Sequence, residues 1–217
     1  MKNVKPWPNQ LILCALWILA TIVGMIVGIN FIRLMFWGTE VGFAFFWLLV
    51  TLGGFAGGIV MGLLQWLVLR NWVKGVGWWI GVTAVGFTLL GLFMVWSSAG
   101  GWWGILVDNR PSTVTIEASL LGGLMGISQW LVLRKKLKRA GWWIPASIIG
   151  WAVDSLVLVP NFDNSRLLLS LLVSGVLAGI TTGVTLVLLV ARNRRLLDED
   201  NEATGTGSRE SFHPRPR

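Results

Sequence analysis

The sequence predicts an all-α integral membrane fold, with six transmembrane helices arranged as three helical hairpins of one common orientation. Three observations predict it: apolar runs of spanning length, basic residues gathered into alternate connections, and a segment that recurs 64 residues further along the chain. Of 217 residues, 54% are hydrophobic and 13% charged, with a mean hydropathy of +0.70, more apolar surface than a water-soluble core of this length can bury. The surplus must face lipid. The 27 glycines and 15 tryptophans suit that setting, because glycine lets helices approach closely and indole rings anchor at the headgroup level.

Apolar runs bounded by charged or turn residues fall at about 10–32, 42–69, 77–98, 113–133, 141–160 and 166–191. Each reaches the roughly 20 residues needed to cross ~30 Å of hydrocarbon at ~1.5 Å per residue. The second run is long, so its first turns are expected to tilt or to lie in the interface. With the N-terminus in the cytoplasm, Lys2, Lys5, Arg70, Lys74, Arg134, Lys135, Lys136, Lys138, Arg139, Arg192, Arg194 and Arg195 share one side, against Arg33, Arg110 and Arg166 on the other. This bias of twelve to three places both termini in the cytoplasm. It also explains the net charge of +8 without nucleic acid, since the basic residues sit in short loops and form no groove or face. The loop from Arg134 to Arg139 can touch anionic headgroups, a role secondary to setting topology.

The membrane domain is expected to span residues 1–195, and residues 196–217 to form a disordered cytoplasmic tail. After Leu197 the run Asp198-Glu199-Asp200-Asn201-Glu202 and the following Ala, Thr, Gly, Ser, Arg and Pro offer too little apolar surface to offset ordering entropy. The apolar run that starts the chain is too long for a secretory signal and lacks a small-residue cleavage site.

The repeat is the most informative feature. Gln65-Trp66-Leu67-Val68-Leu69-Arg70 returns as Gln129-Trp130-Leu131-Val132-Leu133-Arg134, and Gly77-Trp78-Trp79-Ile80 returns as Gly141-Trp142-Trp143-Ile144. A divergent third copy runs from Gly175 to Leu186, with Thr182 and Gly183 replacing Gln and Trp. Among the odd-numbered spans, Trp17, Thr21 and Gly24 match Trp79, Thr83 and Gly86, then Trp143, Ser147 and Gly150. The unit is therefore a hairpin, with copies at about 10–70, 77–134 and 141–191. An even number of spans per unit gives all copies the same orientation.

In the second helix of each hairpin, Gly58 and Gly62, Gly122 and Gly126, and Gly175 and Gly179 are four apart, the small-xxx-small spacing of close helix contacts. Gln65, Gln129 and Thr182 lie three residues further on, so they share that face and point into the bundle. Their simplest role is interhelical hydrogen bonding that fixes register; the alternative is a ring that binds an ion, a ligand or a pigment. Asp154 lies roughly 16 Å beyond Trp143 along a helix axis, near the bilayer midplane. Its counterparts in the other copies are Gly28 and Leu90, so the carboxyl serves something other than the repeat. A buried carboxyl costs several kcal/mol unless protonated or paired, which makes Asp154 either a neutral acid bonded to a neighbouring hydroxyl or a functional group. Glu117 is expected at the outer rim, paired with Arg110 or Arg166. The Trp pairs at 78 and 79, 102 and 103, and 142 and 143 read as interface anchors.

Catalytic and metal signatures are missing. One cysteine, Cys14, and one histidine, His213, provide neither a disulfide nor a Cys/His metal site, and no zinc-protease, phosphate-loop or nucleophile-elbow motif occurs. The Gln-Trp-Leu-Val-Leu-Arg and Gly-Trp-Trp pair of motifs resembles that of a group of multi-pass membrane proteins common in cyanobacteria and related bacteria; the resemblance covers about residues 10–191 and implies no reaction. The expected function is a non-catalytic membrane accessory or scaffold protein, with the lipid bilayer and other membrane proteins as partners and no cofactor. A transporter or channel using the Asp154 carboxylate is the second reading. A third, resting on the host group, is a pigment-binding protein of a photosynthetic membrane, holding chlorophyll or carotenoid with Gln65 and Gln129 as magnesium ligands.

Overall fold

The computed structural model describes residues 7–36, 43–98, 111–158 and 166–207. Among them the chain is all-helical: α1 (Trp7–Phe36), α2 (Phe43–Leu69), α3 (Trp78–Ser98), α4 (Pro111–Leu133), α5 (Trp143–Leu158, after a 3-10 turn at Ala140–Trp142) and α6 (Leu167–Gly207). Four helices hold an apolar stretch long enough to cross a membrane: Gln10–Gly28, Trp47–Leu69, Thr115–Leu133 and Leu167–Leu196. Trp78–Leu92 in α3 is a shorter apolar segment, and α5 has 16 described residues.

Burial is inverted relative to a water-soluble bundle. Leu11, Leu120, Leu124, Leu168 and Leu188 are exposed, while Thr21, Gln65, Thr83, Gln129, Ser147, Asp154 and Ser174 are buried. An apolar outside with polar groups inside is the pattern expected where lipid is the solvent.

Glycines bring the helices together. A Cβ built on Gly58 would lie 2.6 Å from the Cα of Ala84, and one on Gly62 2.9 Å from the Cα of Ile80, so α2 and α3 touch backbone to backbone. On α4, Gly122 meets Ser147 and Trp151 of α5, and Gly126 meets Ser147 and Ile144. On α6, Gly175 and Gly179 lie against Ile22 and Ile18 of α1, with Cβ to Cα distances of 3.1 and 2.9 Å. The thioethers of Met61 and Met125 occupy the space beside Gly24 and Gly86, joining α1 to α2 and α3 to α4. Residue numbers run in opposite senses in the paired contacts, as they do for Gly24–Met61 with Gly28–Gly57, Gly86–Met125 with Thr83–Gln129, and Gly150–Thr181 with Asp154–Ser174, so each helix is antiparallel to its chain neighbours and α6 is antiparallel to α1. The bundle therefore closes, with α1 packed against both α2 and α6.

The connections at 70–77 and 134–142 are tight. In each, the last turn of the preceding helix is continued by amides returning to Leu69 and Leu133, and a residue with positive φ reverses the chain: Gly75 at 75° and Arg139 at 62°. At the opposite end of the chain, α6 runs to Gly207, past the boundary at residue 195 that composition suggested. Elongating an existing helix needs no new nucleus. Residues 208–217 lie outside the described residues.

The glycine contacts give a direct prediction. Gly58→Ala should destabilise the bundle by ~1–3 kcal/mol through overpacking, measured by SDS titration in mixed micelles. Gly141→Ala, where a Cβ meets nothing within 4 Å, should leave the transition in place.

Candidate functional site

Three tryptophans meet inside the bundle near the end that carries the 70–77 and 134–142 connections. Trp17 of α1, Trp79 of α3 and Trp143 of α5 are fully buried. Their ring centroids are 5.7 Å (Trp17 to Trp79), 5.7 Å (Trp17 to Trp143) and 5.5 Å (Trp79 to Trp143) apart, all edge to face. That geometry sets the positive edge of each indole against the negative face of another, which favours it over parallel stacking. Leu69, Leu133 and Leu186, all fully buried, pack in the same cluster.

A buried indole N–H needs an acceptor, and each has one on an even-numbered helix. Trp79 Nε1 donates to Gln65 Oε1 at 3.1 Å, Trp143 Nε1 to Gln129 Oε1 at 3.0 Å, and Trp17 Nε1 to Thr182 Oγ1 at 3.0 Å. The amide nitrogens reach the other way: Gln65 Nε2 donates to Thr21 Oγ1 at 3.5 Å and Gln129 Nε2 to Thr83 Oγ1 at 3.2 Å. Gln65 thus ties α1 to α3, Gln129 ties α3 to α5, and Thr182 returns the chain of bonds from α6 to α1. Each glutamine carbonyl oxygen accepts an indole N–H and keeps a second lone pair, but both side chains are buried among the packed helices.

Spacing of Gln and Gly along the second helix of each hairpin puts both on one face, but does not identify the indole as the partner. The signal was present: Gln65 precedes Trp79, and Gln129 precedes Trp143, by 14 residues. The paired tryptophans also divide, because successive helical residues differ by ~100° in direction. Trp78 is 79% exposed and Trp142 66%, while Trp79 and Trp143 are buried; only the first member of each pair can be an interface anchor. Trp102 and Trp103 lie outside the described residues.

A second polar region lies further from the basic end. Asp154 of α5 is 6% exposed, with Ser174 of α6 as its hydrogen-bonding neighbour, and its Oδ1 is buried without a partner. Ser155 beside it donates to Thr115 Oγ1 of α4 at 3.3 Å. Glu117 lies on the inward side of α4. It is 6% exposed and its Oε1 has no partner, because α4 turns that side toward the bundle; Arg166 is exposed, and Arg110 is outside the described residues. Among the described residues no three His, Cys, Asp or Glu side chains converge as a metal site would require.

No protein-family model matches the chain, and no curated protein or solved structure is significantly similar to it.

The indole bonds can be tested by a double-mutant cycle. Gln129→Leu should strand the Trp143 N–H and cost ~1–2 kcal/mol. Adding Trp143→Phe should cost less than it does in the parent protein, since the orphaned donor goes with it. Unfolding in mixed micelles, followed by near-UV circular dichroism, reads both.

Proposed function

We propose that this chain is a non-catalytic accessory protein of a membrane, a helical scaffold that packs against membrane partners through its lipid-facing sides and its basic end. The observation that carries it is the tryptophan cluster: three fully buried rings, with every indole N–H spent on a neighbouring helix, fill the interior of the bundle. A conduit would need an opening path there, and at this level the three rings are in mutual contact.

In this reading all six helices span, α3 and α5 included, as three hairpin repeats. Three features support the repeat: the matched Trp17, Trp79 and Trp143, the glycine contacts of α2, α4 and α6, and the Gln65 and Gln129 bonds. The end bearing Arg70, Arg134 and Arg194 faces the cytoplasm by the positive-inside rule. The guanidinium groups there sit over indole rings, Arg70 on Trp66, Arg134 on Trp130 and Arg194 on Trp72, with Cζ 5.0 to 5.1 Å from the ring centroids, as suits cations held at a headgroup boundary. The membrane itself is the cytoplasmic or the thylakoid membrane, following the resemblance of the repeated motifs to cyanobacterial multi-pass proteins.

Transport is the second reading, favoured by one observation: the unpartnered, buried Oδ1 of Asp154. Pigment binding loses ground, because the proposed magnesium ligands Gln65 and Gln129 already accept indole hydrogen bonds.

Purification at native expression in mild detergent should bring down a stable membrane partner, lost on neutralising the Arg134–Arg139 loop; a bare monomer would contradict the scaffold. In proteoliposomes the scaffold predicts ion and solute leakage no greater than in protein-free vesicles. Flux in the parent that disappears in Asp154→Asn, with the fold kept, would establish transport instead.

A further inference from the structure

A groove of about 810 Å3 opens on the outside of the bundle between α5 and α6, at the basic end. Its floor is apolar, formed by buried Ala146 and Leu189, and its sides include the exposed Ile149 and Leu188. At its mouth stand three exposed guanidinium groups, Arg139, Arg192 and Arg195, with Glu199 as the one acid in the lining. The groove thus combines a cationic end with an apolar trough that runs along two helices toward the bundle middle.

Two further observations concern the backbone that carries these arginines. Arg139 has φ of 62°, a left-handed conformation that side chains other than glycine rarely adopt, where the corresponding turn uses Gly75. Local strain of that kind often marks a residue whose side chain is needed where it stands. The walls are also tied: the Lys138 amide donates to Asn193 Oδ1 at 3.4 Å, and Arg194 lies 5.0 Å from the Trp72 ring centroid. Both contacts hold the end of α6, with Arg192 and Arg195, against the two connections.

We propose that this groove binds one anionic glycerophospholipid, with its phosphate between Arg139, Arg192 and Arg195 and an acyl chain along Ile149 and Leu188. Planar guanidinium groups offer forked N–H pairs to phosphate oxygens, and the boundary between a spanning helix and its basic end is the depth of a headgroup. A soluble anion would leave the trough empty, and a zwitterionic lipid would bring a cation of its own to the arginines. The inference rests on the membrane placement proposed above; resistance of the chain to carbonate extraction from membranes tests that placement separately.

The test is native mass spectrometry of the full chain in nonionic detergent, with phosphatidylglycerol and phosphatidylcholine of identical acyl chains. One phosphatidylglycerol should bind, at least tenfold more tightly than phosphatidylcholine. The combined variant Arg139→Gln, Arg192→Gln, Arg195→Gln should lose that preference, with its near-UV circular dichroism unchanged. Lys135→Gln with Lys136→Gln, on the same connection but outside the groove, should keep it. Equal binding of the two lipids by the parent protein overturns the proposal without recourse to any variant. So does displacement by excess glycerol 3-phosphate, which would mean a soluble phosphate site, or an equal loss in the lysine variant, which would mean diffuse surface charge.

Discussion

Everything else in the bundle depends on the meeting of Trp17, Trp79 and Trp143. Inside a bilayer, apolar surface gains nothing by leaving lipid for protein, so helices must be held by close packing and by hydrogen bonds. An indole can supply both. Its ring fills a large volume, its edge-to-face contacts add directional attraction, and its N–H is costly to leave unpaired once buried. Each ring comes from an odd-numbered helix and each acceptor, Gln65, Gln129 or Thr182, from an even-numbered one. The cluster consequently cannot form until α1, α3 and α5 have been brought to one level with α2, α4 and α6 between them. Glycine contacts make that spacing attainable, since a Cβ at Gly58 or Gly179 would meet the facing backbone.

The less regular chemistry lies where the pattern breaks. Gln65 and Gln129 each make two hydrogen bonds between helices, whereas Thr182 accepts from Trp17 and returns its own proton to Ala178 O. Gly24 and Gly86 are filled by methionine, but Gly150 faces Thr181, and one turn beyond it stands Asp154. The groove lies on this same hairpin, with Arg139 standing in for a glycine. The buried carboxyls with an unpartnered oxygen, Glu117 of α4 and Asp154 of α5, and the left-handed Arg139 between these helices all lie in the second half of the chain.

The class of fold was legible because composition and run length report on the solvent, whatever the helices pack against. The shared face of the glycines and glutamines was legible for a related reason: spacings of three and four fix a helical face without knowledge of the neighbour. The identity of the neighbour was not legible. Nothing in Trp78-Trp79 says which ring turns inward, because both lie within one helical step and the choice is made by α1 and α5. The burial of Glu117 was not legible either, a count along one helix being blind to which side its neighbours cover.

Ring closure between α6 and α1 is the step on which the tryptophan cluster stands, and the chain's single cysteine lies beside it. A Cβ built on Gly183 is 3.4 Å from Cys14 Sγ and 3.2 Å from Trp17 Cδ1, within reach of a disulfide after small adjustment. The decisive measurement is oxidation of Gly183→Cys in native membranes, followed by cleavage in the 99–110 connection and electrophoresis without reductant. A closed bundle predicts that the two fragments stay joined within one chain. Separate fragments, or a cross-link only between two chains, would contradict it.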